Sequence, residues 1–293
     1  MKKEQEYTAY LQEVYPELQI KSAYINEIGQ NNDVLIVNDR LVFRFPKYEQ
    51  GIQQLRLETK LLEAIRPFIT LPIPNPIYQM FQDEVPGKVF SGYEMIEGEP
   101  FWKNIFLEIK DEEQLQKLAF TLAQFLRELH QIPMATFEGI MEQGKTDMYL
   151  EMGNLYSQLK EHVYPFMREE ARVEVSNTFE SYLSNSSNFD FAPCFIHGDF
   201  GMSNILYSKG EKNISGVIDF GGVSIGDPAY DFAGILTSYG EEFLQLLAPH
   251  YPNLEAVTER MYFYKSTFAL QEASFGILNK DEKAFQAGIA SYL

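Results

Sequence analysis

Cysteine is almost absent from this chain of 293 residues. The single cysteine, Cys194, excludes a disulfide within the chain, because that bond needs two thiols. Such scarcity is typical of proteins in a reducing compartment. We therefore expect a cytoplasmic protein in which Cys194 is a small buried apolar residue.

Long apolar runs are also missing. No stretch without charges approaches the ~20 residues that a membrane-spanning helix requires. The opening MKKEQEYTAY has no apolar segment after its lysines, so we expect no secretory signal. The sequence also lacks repeats, low-complexity segments and coiled-coil heptads.

Basic residues are few: 24 Lys and Arg stand against 42 Asp and Glu, for a formal net charge of −18. This charge argues against a nucleic-acid partner, since phosphate neutralisation needs clustered Lys and Arg. Solubility alone explains an acidic surface. The sharper alternative is a cationic small-molecule partner attracted to an acidic cleft, and composition leaves both open.

The first hundred residues predict strands around one helix. DVLIV (33–37) and LVFRF (41–45) are β-rich runs joined by NDR, a tight hairpin turn. Apolar periodicity predicts a helix from Ile52 to Ile65. The segment VFSGYEMIEGEPF (89–101) predicts a strand that runs into a turn.

The remainder is mostly helical around a loop region rich in glycine and aspartate. Asp111 is a suitable helix N-cap, with Gln114 reaching back as in a capping box. A strand-rich front and a helical back predict an α+β fold with two lobes that enclose a cleft. We place the N-terminal nucleotide-binding lobe at 1–96 and the C-terminal catalytic and substrate-binding lobe at 97–293. Further helical patterns lie at 150–184, 240–248 and 254–290.

Two polar motifs interrupt the apolar pattern of the second half. FIHGDFGMSNIL carries Asp199 and, five residues later, Asn204, and GVIDFGG carries Asp219. A hairpin between the motifs would bring Asn204 and Asp219 together as oxygen ligands of the kind that Mg²⁺ accepts beside phosphate. Asp199 is then available to a substrate hydroxyl. Kinases combine one Asp at the nucleophile with an Asn and a second Asp on the metal.

Glu58 interrupts the apolar stripe of the predicted helix at 52–65. A lone buried carboxylate is costly, so a cationic partner is expected, and Arg44 or Lys47 can supply it. Kinases use such an ion pair to hold a cation on the α- and β-phosphates. The alternative is a Glu58 at the edge of the stripe that reaches solvent.

The loop EIGQNND (27–33) precedes the first hairpin strand, where a phosphate-covering turn is expected. It contains Gly29 and Asn31, which are typical turn residues. No Walker-type sequence occurs in the chain. His197, next to the catalytic motif, is expected to hold its loop through hydrogen bonds rather than to act as a base.

FIHGDFGMSNILY, GVIDFGG and GDPAYDFAG together resemble the aminoglycoside phosphotransferase family, a branch of the protein-kinase-like fold. VFRFPK followed by QG is similar to the front of aminoglycoside 2″-phosphotransferases. The resemblance implies that Asp199 is the catalytic aspartate and that Asn204 and Asp219 are the Mg²⁺ ligands. Arg44 occupies the position of the usual nucleotide lysine, and Lys47 would share that role.

The resemblance also implies roles for two further segments. Asp227 and Asp231, in GDPAYD, would brace the catalytic loop. Glu94 and Ile96 would present backbone groups to the purine. Tyr93 matches the position that guards the pocket behind the base, and its bulk resembles relatives that favour GTP over ATP.

The substrate site is less well defined by the resemblance. Thr237 and Ser238 stand where 2″-phosphotransferases would have carboxylates, and DFAG…YGEEFL is similar to macrolide 2′-phosphotransferases. A solvated helix face would explain the nearby acidic residues equally well. The candidate substrate residues are Glu241, Glu242, Gln271 and Glu272.

The favoured interpretation is a Mg²⁺-dependent phosphotransferase that moves the γ-phosphate of GTP or ATP to a hydroxyl of an aminoglycoside-like antibiotic. A macrolide, or a choline- or sugar-like alcohol, is the alternative acceptor. A nucleotide-binding pseudokinase is the alternative from another class, but it would not need Asp199, Asn204 and Asp219 together. A protein kinase is disfavoured, because no APE segment follows DFG.

Overall fold

The computed structural model describes residues 3–26, 31–141 and 147–293. The chain divides into two compact units, Met1–Gln143 with Met202–Val223 and Gly144–Gly201 with Ser224–Leu293. It therefore passes from the second unit to the first just after the Asp199 loop. The lobe boundary placed at residue 96 stays a prediction, and these units divide the chain at other points.

The described residues form short strands and, for the most part, longer helices. The strands are β1 Ala23–Asn26, β2 Asn32–Val37, β3 Leu41–Pro46, β4 Tyr78–Met80, β5 Phe90–Glu94, β6 Glu99–Pro100, β7 Cys194–Ile196, β8 Ile205–Ser208, β9 Asn213–Val217 and β10 Ser224–Gly226. The helices are α1 Lys3–Val14, α2 Glu49–Ile65, α3 Lys103–Glu108, α4 Glu112–His130, α5 Met148–Gln158, α6 Glu169–Ser184, α7 Ala229–Tyr239, α8 Glu241–Leu247, α9 Thr258–Asn279 and α10 Glu282–Ile289.

The first unit is built on a five-stranded antiparallel sheet in the order β1-β2-β3-β5-β4. The predicted β2–β3 hairpin is present, and its turn residues Asn38 and Asp39 have φ of 54° and 53°. Two left-handed residues are the signature of the type I′ turn, whose twist suits a hairpin. The prediction of a tight turn at NDR is confirmed.

The two faces of this sheet carry different side chains, because neighbouring residues of a strand point to opposite faces. One face packs against α1 and forms a buried core. The other carries Ile36, Val42 and Tyr93 in a smaller buried cluster. The core on the α1 face consists of Tyr7, Leu11, Leu35, Val37, Leu41, Phe43, Phe45 and Phe90.

Helix α2 begins three residues before the predicted start at Ile52 and ends at the predicted Ile65. Asp111 caps α4 as predicted, since its Oδ1 accepts a hydrogen bond from the Glu113 N–H at 3.0 Å. The predicted return bond from Gln114 is wrong. Its side-chain amide donates instead to the Tyr207 hydroxyl at 2.8 Å, because a buried partner on β8 is within reach.

The described residues of the second unit are mainly helical, and β7 and β10 pair in a short antiparallel sheet. The core of this unit contains stacked aromatic rings, such as Tyr182 on Phe263 with centroids 3.4 Å apart and Tyr156 on Phe179 at 5.0 Å. Cys194 is buried as expected, and burial raises the pKa of its thiol. No helix among the described residues is long and apolar enough to span a membrane.

Candidate active site

The β8–β9 hairpin of the first unit brings two of the three motif residues together. Ile205 lies opposite Val217, and one residue further the Ile218 N–H donates to the Asn204 carbonyl at 2.9 Å. Asp219 follows Ile218 directly. The expected hairpin is therefore present, and it places Asn204 and Asp219 side by side at the same end.

Asp219 stands in an unusual backbone conformation. Its φ of 63° and ψ of 72° lie in the left-handed region, where Asp is tolerated better than most residues. The turn leaves 52% of its side chain exposed, and Oδ1 accepts a hydrogen bond from Arg44 Nη2 at 3.3 Å. Asn204, in contrast, is buried.

Arg44 on β3 forms the expected ion pair with Glu58 on α2. Glu58 is only 4% exposed, so the alternative of a solvent-facing carboxylate is wrong. Glu58 also accepts a hydrogen bond from the Phe220 backbone. Arg44 therefore binds two carboxylates at once. Its planar guanidinium has five N–H donors and suits this role better than a lysine ammonium.

The pKa values of this pair reflect burial opposed by charge. Burial alone would lower the pKa of the Arg44 guanidinium, but the charges of Glu58 and Asp219 raise it above its usual value. Burial raises the pKa of Glu58, and the Arg44 charge opposes that rise. Arg44 thus stays cationic between the carboxylates of Glu58 and Asp219.

Tyr93 lies on the same sheet face as Arg44, because Val42, its partner on β3, is two residues from Arg44. Tyr93 is buried, and burial raises its pKa to about 12. Glu94 is exposed and pairs with Arg40 at 3.5 Å. Ile96 packs closely over Gly216 of β9, where a Cβ would lie 2.7 Å from its Cγ2.

The predicted phosphate-covering loop is only partly described. Gly29 lies outside the described residues. Asn31 is exposed, and its carbonyl accepts a hydrogen bond from the Lys47 N–H at 3.1 Å, which ties the start of β2 to the end of β3. Only the backbone of Lys47 makes this bond. The nucleotide contact predicted for Lys47 would be made by its side chain, which is partly buried.

In the second unit, one buried carboxylate holds the loop that carries Asp199. Asp231 on α7 accepts hydrogen bonds from the backbone N–H groups of His197 and Gly198, both at 2.9 Å. His197 is fully buried, and its Nδ1 accepts from the Asp199 N–H at 3.3 Å. Asp199 itself is exposed. This is the geometry expected of residues that fix a loop and present one carboxylate.

A second buried aspartate anchors the start of α7. Asp227 accepts from Arg260 Nε at 2.5 Å and Nη2 at 3.1 Å, and from the Tyr264 hydroxyl at 3.1 Å. It also accepts from the Ala229 N–H at 3.0 Å. Sequence reasoning missed Arg260, because its partner lies 33 residues away and no local pattern marks the pair.

Tyr230 was also missed, although it stands between the two aspartates of GDPAYD. Burial raises its pKa, and the charges of Asp199, Asp231 and Glu151 add to that effect. Its hydroxyl donates to Gln271 Oε1 at 3.2 Å. Gln271 is therefore linked to Asp199 indirectly, because it is hydrogen-bonded to Tyr230, whose pKa the Asp199 charge raises.

The other candidate substrate residues are less enclosed. Glu241, Glu242 and Glu272 are all exposed on helices of the second unit. Glu241 interacts with the Tyr262 hydroxyl, and this contact adds to the desolvation that raises the pKa of Tyr262. Their place in a substrate site stays a prediction.

Gly234 on α7 is required by the close approach of the loop that carries Asp199. A Cβ at this position would lie 2.2 Å from the carbonyl oxygen of Phe200, the residue after Asp199. We expect Gly234→Ala to lower the free energy of unfolding by about 1–3 kcal/mol, because backbone must move to admit the methyl group. Urea unfolding measures this change.

Gly153 on α5 is the matched control. A Cβ there meets nothing within 4 Å. Gly153→Ala should therefore stabilise the protein by roughly 0.5–1 kcal/mol through helix propensity alone. Equal stability of the two variants would contradict the packing assigned to Gly234.

Asn204 and Asp219 suit a hard divalent cation. An amide oxygen and a carboxylate are ligands that Mg²⁺ accepts together with phosphate oxygens and water. In the part of the chain that the structure describes, no cluster of three or more His, Cys, Asp or Glu side chains forms a metal site by itself.

Comparison with solved structures identifies the fold. The GDP and kanamycin complex of APH(2″)-IIIa superposes with a TM-score of 0.88 and 26% identity, covering 97% of this chain and 96% of the other. Macrolide 2′-phosphotransferase MphH from Brachybacterium faecium superposes with a TM-score of 0.72, 17% identity and 97% coverage of both chains. The predicted α+β, protein-kinase-like fold is confirmed.

Comparison of sequences gives the family. Viomycin phosphotransferase from Streptomyces vinaceus is 40% identical over 100 residues, which are 33% of this chain and 35% of that relative's length. The model of the phosphotransferase enzyme family (APH) matches residues 25–264, which include both polar motifs and the Arg44–Glu58 pair. The chain belongs to the phosphotransferase enzyme family.

Proposed function

We propose that this protein transfers the γ-phosphoryl group of GTP or ATP to a hydroxyl group of an aminoglycoside-like antibiotic. The observation that carries the proposal is the junction of Asn204, Asp219 and the Arg44–Glu58 pair in one unit. This arrangement would combine metal ligands with a fixed cation, two of the parts that phosphoryl transfer requires. The cytoplasm, where nucleotide is available, is the proposed location.

Asp199 is proposed to orient the acceptor hydroxyl and to take its proton as the bond to phosphorus forms. Its carboxylate is exposed, and two hydrogen bonds to Asp231 fix the backbone just before it. A loose phosphoryl transition state needs little activation of the nucleophile, so positioning is the main contribution. His197, Asp227 and Asp231 are proposed to hold this loop rather than to touch substrate.

Asn204 and Asp219 would hold Mg²⁺, which when bound neutralises charge on the β- and γ-phosphates. Arg44, kept cationic by Glu58 and Asp219, is proposed to bind the α- and β-phosphates. Glu94 and Ile96 are proposed to present backbone groups to the purine. Buried Tyr93 is proposed to favour GTP over ATP; equal kcat/KM for the two nucleotides would contradict this preference.

The acceptor is proposed from the family and from charge. The relatives include one solved with kanamycin and one named for viomycin, and the net charge of −18 suits a polycation. Exposed Glu241, Glu242 and Glu272 are the proposed contacts for its amino groups, with Gln271 near Asp199 through Tyr230. A macrolide acceptor is the rival, since Thr237 is exposed where a carboxylate would be expected.

A mixed panel of antibiotics tests the proposal. The protein is incubated with Mg²⁺ and either GTP or ATP, together with aminoglycosides, viomycin-like peptides, macrolides and choline, and products are read by mass spectrometry. We expect one phosphoryl group on aminoglycosides. If phosphate appears only on macrolides, the acceptor is a macrolide and not an aminoglycoside. Nucleotide binding without any product would favour a pseudokinase.

A further inference from the structure

A buried carboxylate connects helix α1 to the beginning of β2. Asp33 is 7% exposed, and its Oδ2 accepts a hydrogen bond from the Tyr7 hydroxyl at 2.7 Å. The Lys3 ammonium lies 2.6 Å from the same oxygen. Since a buried carboxylate needs partners and both of these come from α1, the helix and the strand are tied at this point.

The ring of Tyr7 adds a second contact at the same place. It stacks on Phe45 with centroids 4.0 Å apart and planes 6° from parallel. Phe45 lies directly opposite Asp33 in the β2–β3 register. Burial raises the pKa of the Tyr7 hydroxyl, and its bond to Asp33 raises it further, so the hydroxyl remains a donor.

The opposite face of the sheet carries the residues proposed to bind nucleotide. Alternation places Val34 on that face, where it pairs in register with Arg44 and packs beside the cluster that contains Tyr93. Asn31, two residues before Asp33, is bonded to the Lys47 N–H. A shift of Asp33 would therefore move the strand that flanks Arg44.

We infer that Tyr7, acting through Asp33, is a positioning residue for nucleotide binding, and this inference rests on the proposed function. Tyr7 lies on the α1 face of the sheet and Arg44 on the opposite face, so Tyr7 would not touch the nucleotide. It fixes the first residues of β2 against the end of β3, and these residues border the phosphate-binding cation Arg44. Helix α1 thus contributes to nucleotide binding by holding β2 in position.

Tyr7→Phe tests the inference, because it keeps the ring on Phe45 and removes only the hydroxyl bonded to Asp33. Tyr10→Phe is the matched control on the same helix, since the Tyr10 hydroxyl donates to the Lys88 carbonyl at 3.0 Å, away from β2. Calorimetry with Mg²⁺ and non-hydrolysable GTP and ATP analogues gives each Kd. We expect Tyr7→Phe to weaken binding by about tenfold, as remote positioning residues do.

The control should bind nucleotide like the wild type, and the KM of the acceptor should be unchanged in both variants. Lys3→Ala, at a side chain 56% exposed, should weaken nucleotide binding in the same direction without a folding defect. Wild-type protein that binds neither nucleotide would overturn the proposed function. If the wild type binds nucleotide and Tyr7→Phe and Tyr10→Phe have equal Kd values, this inference alone is overturned. A rise in the acceptor KM of Tyr7→Phe as large as the rise in its nucleotide Kd would also overturn it.

Discussion

Asp199→Ala is expected to lower kcat by about 10³-fold, within the range found when a positioned acid or base is removed. The carboxylate is exposed, so its loss should leave the protein folded. Asp231 would still hold the loop through the N–H groups of His197 and Gly198. Nucleotide affinity should therefore stay close to that of the wild type, which separates a catalytic defect from a binding defect.

Single-turnover rates at saturating nucleotide measure this effect. Asp190→Ala removes another exposed carboxylate from the same unit and serves as the control. Asp190→Ala should turn over at the wild-type rate. Normal turnover by Asp199→Ala would eliminate the assigned role, whatever its effect on KM.

Asp219→Asn is expected to reduce kcat/KM by about 10³-fold at physiological Mg²⁺, because the proposed metal ligand loses its negative charge. Asparagine is chosen because it tolerates the left-handed backbone that Asp219 adopts, whereas alanine would add strain. Part of the activity should return as Mg²⁺ is raised, since the amide oxygen remains a weak ligand.

Asp39→Asn provides the matched control for this substitution. Asp39 is exposed and also has a positive φ, 53°, in the β2–β3 turn. The same chemical change there should leave activity and its Mg²⁺ dependence unaltered. If Asp219→Asn kept the wild-type Mg²⁺ dependence, Asp219 would not be a metal ligand.

Local spacing was sufficient to predict the features made by neighbouring segments. The β8–β9 hairpin follows from two β-rich runs around a polar turn, and it alone brings Asn204 beside Asp219. The Arg44–Glu58 pair was expected for a different reason, since Glu58 interrupts an apolar helical stripe and a buried carboxylate requires a cation.

Contacts between distant segments could not be predicted in this way. Arg260 meets Asp227 from a helix 33 residues away, and Tyr7 meets Asp33 across 26 residues. Polar side chains of this kind look like ordinary surface residues in a sequence, because their partners are decided by tertiary packing. Gln114 gives the converse error: a local capping pattern was present, but Tyr207 offered a better partner.

The most direct test of the central claim is a double-mutant cycle on the rate of phosphoryl transfer. The claim is that this chain is a phosphotransferase whose reaction depends on both Asp199 and Asp219. The rates of Asp199→Ala, Asp219→Asn and the double variant are compared in single turnover with the preferred antibiotic. Groups that act in one transition state are strongly non-additive, so the double variant should be little slower than the slower single variant. Losses that multiply fully would contradict the dependence of the same reaction step on both carboxylates.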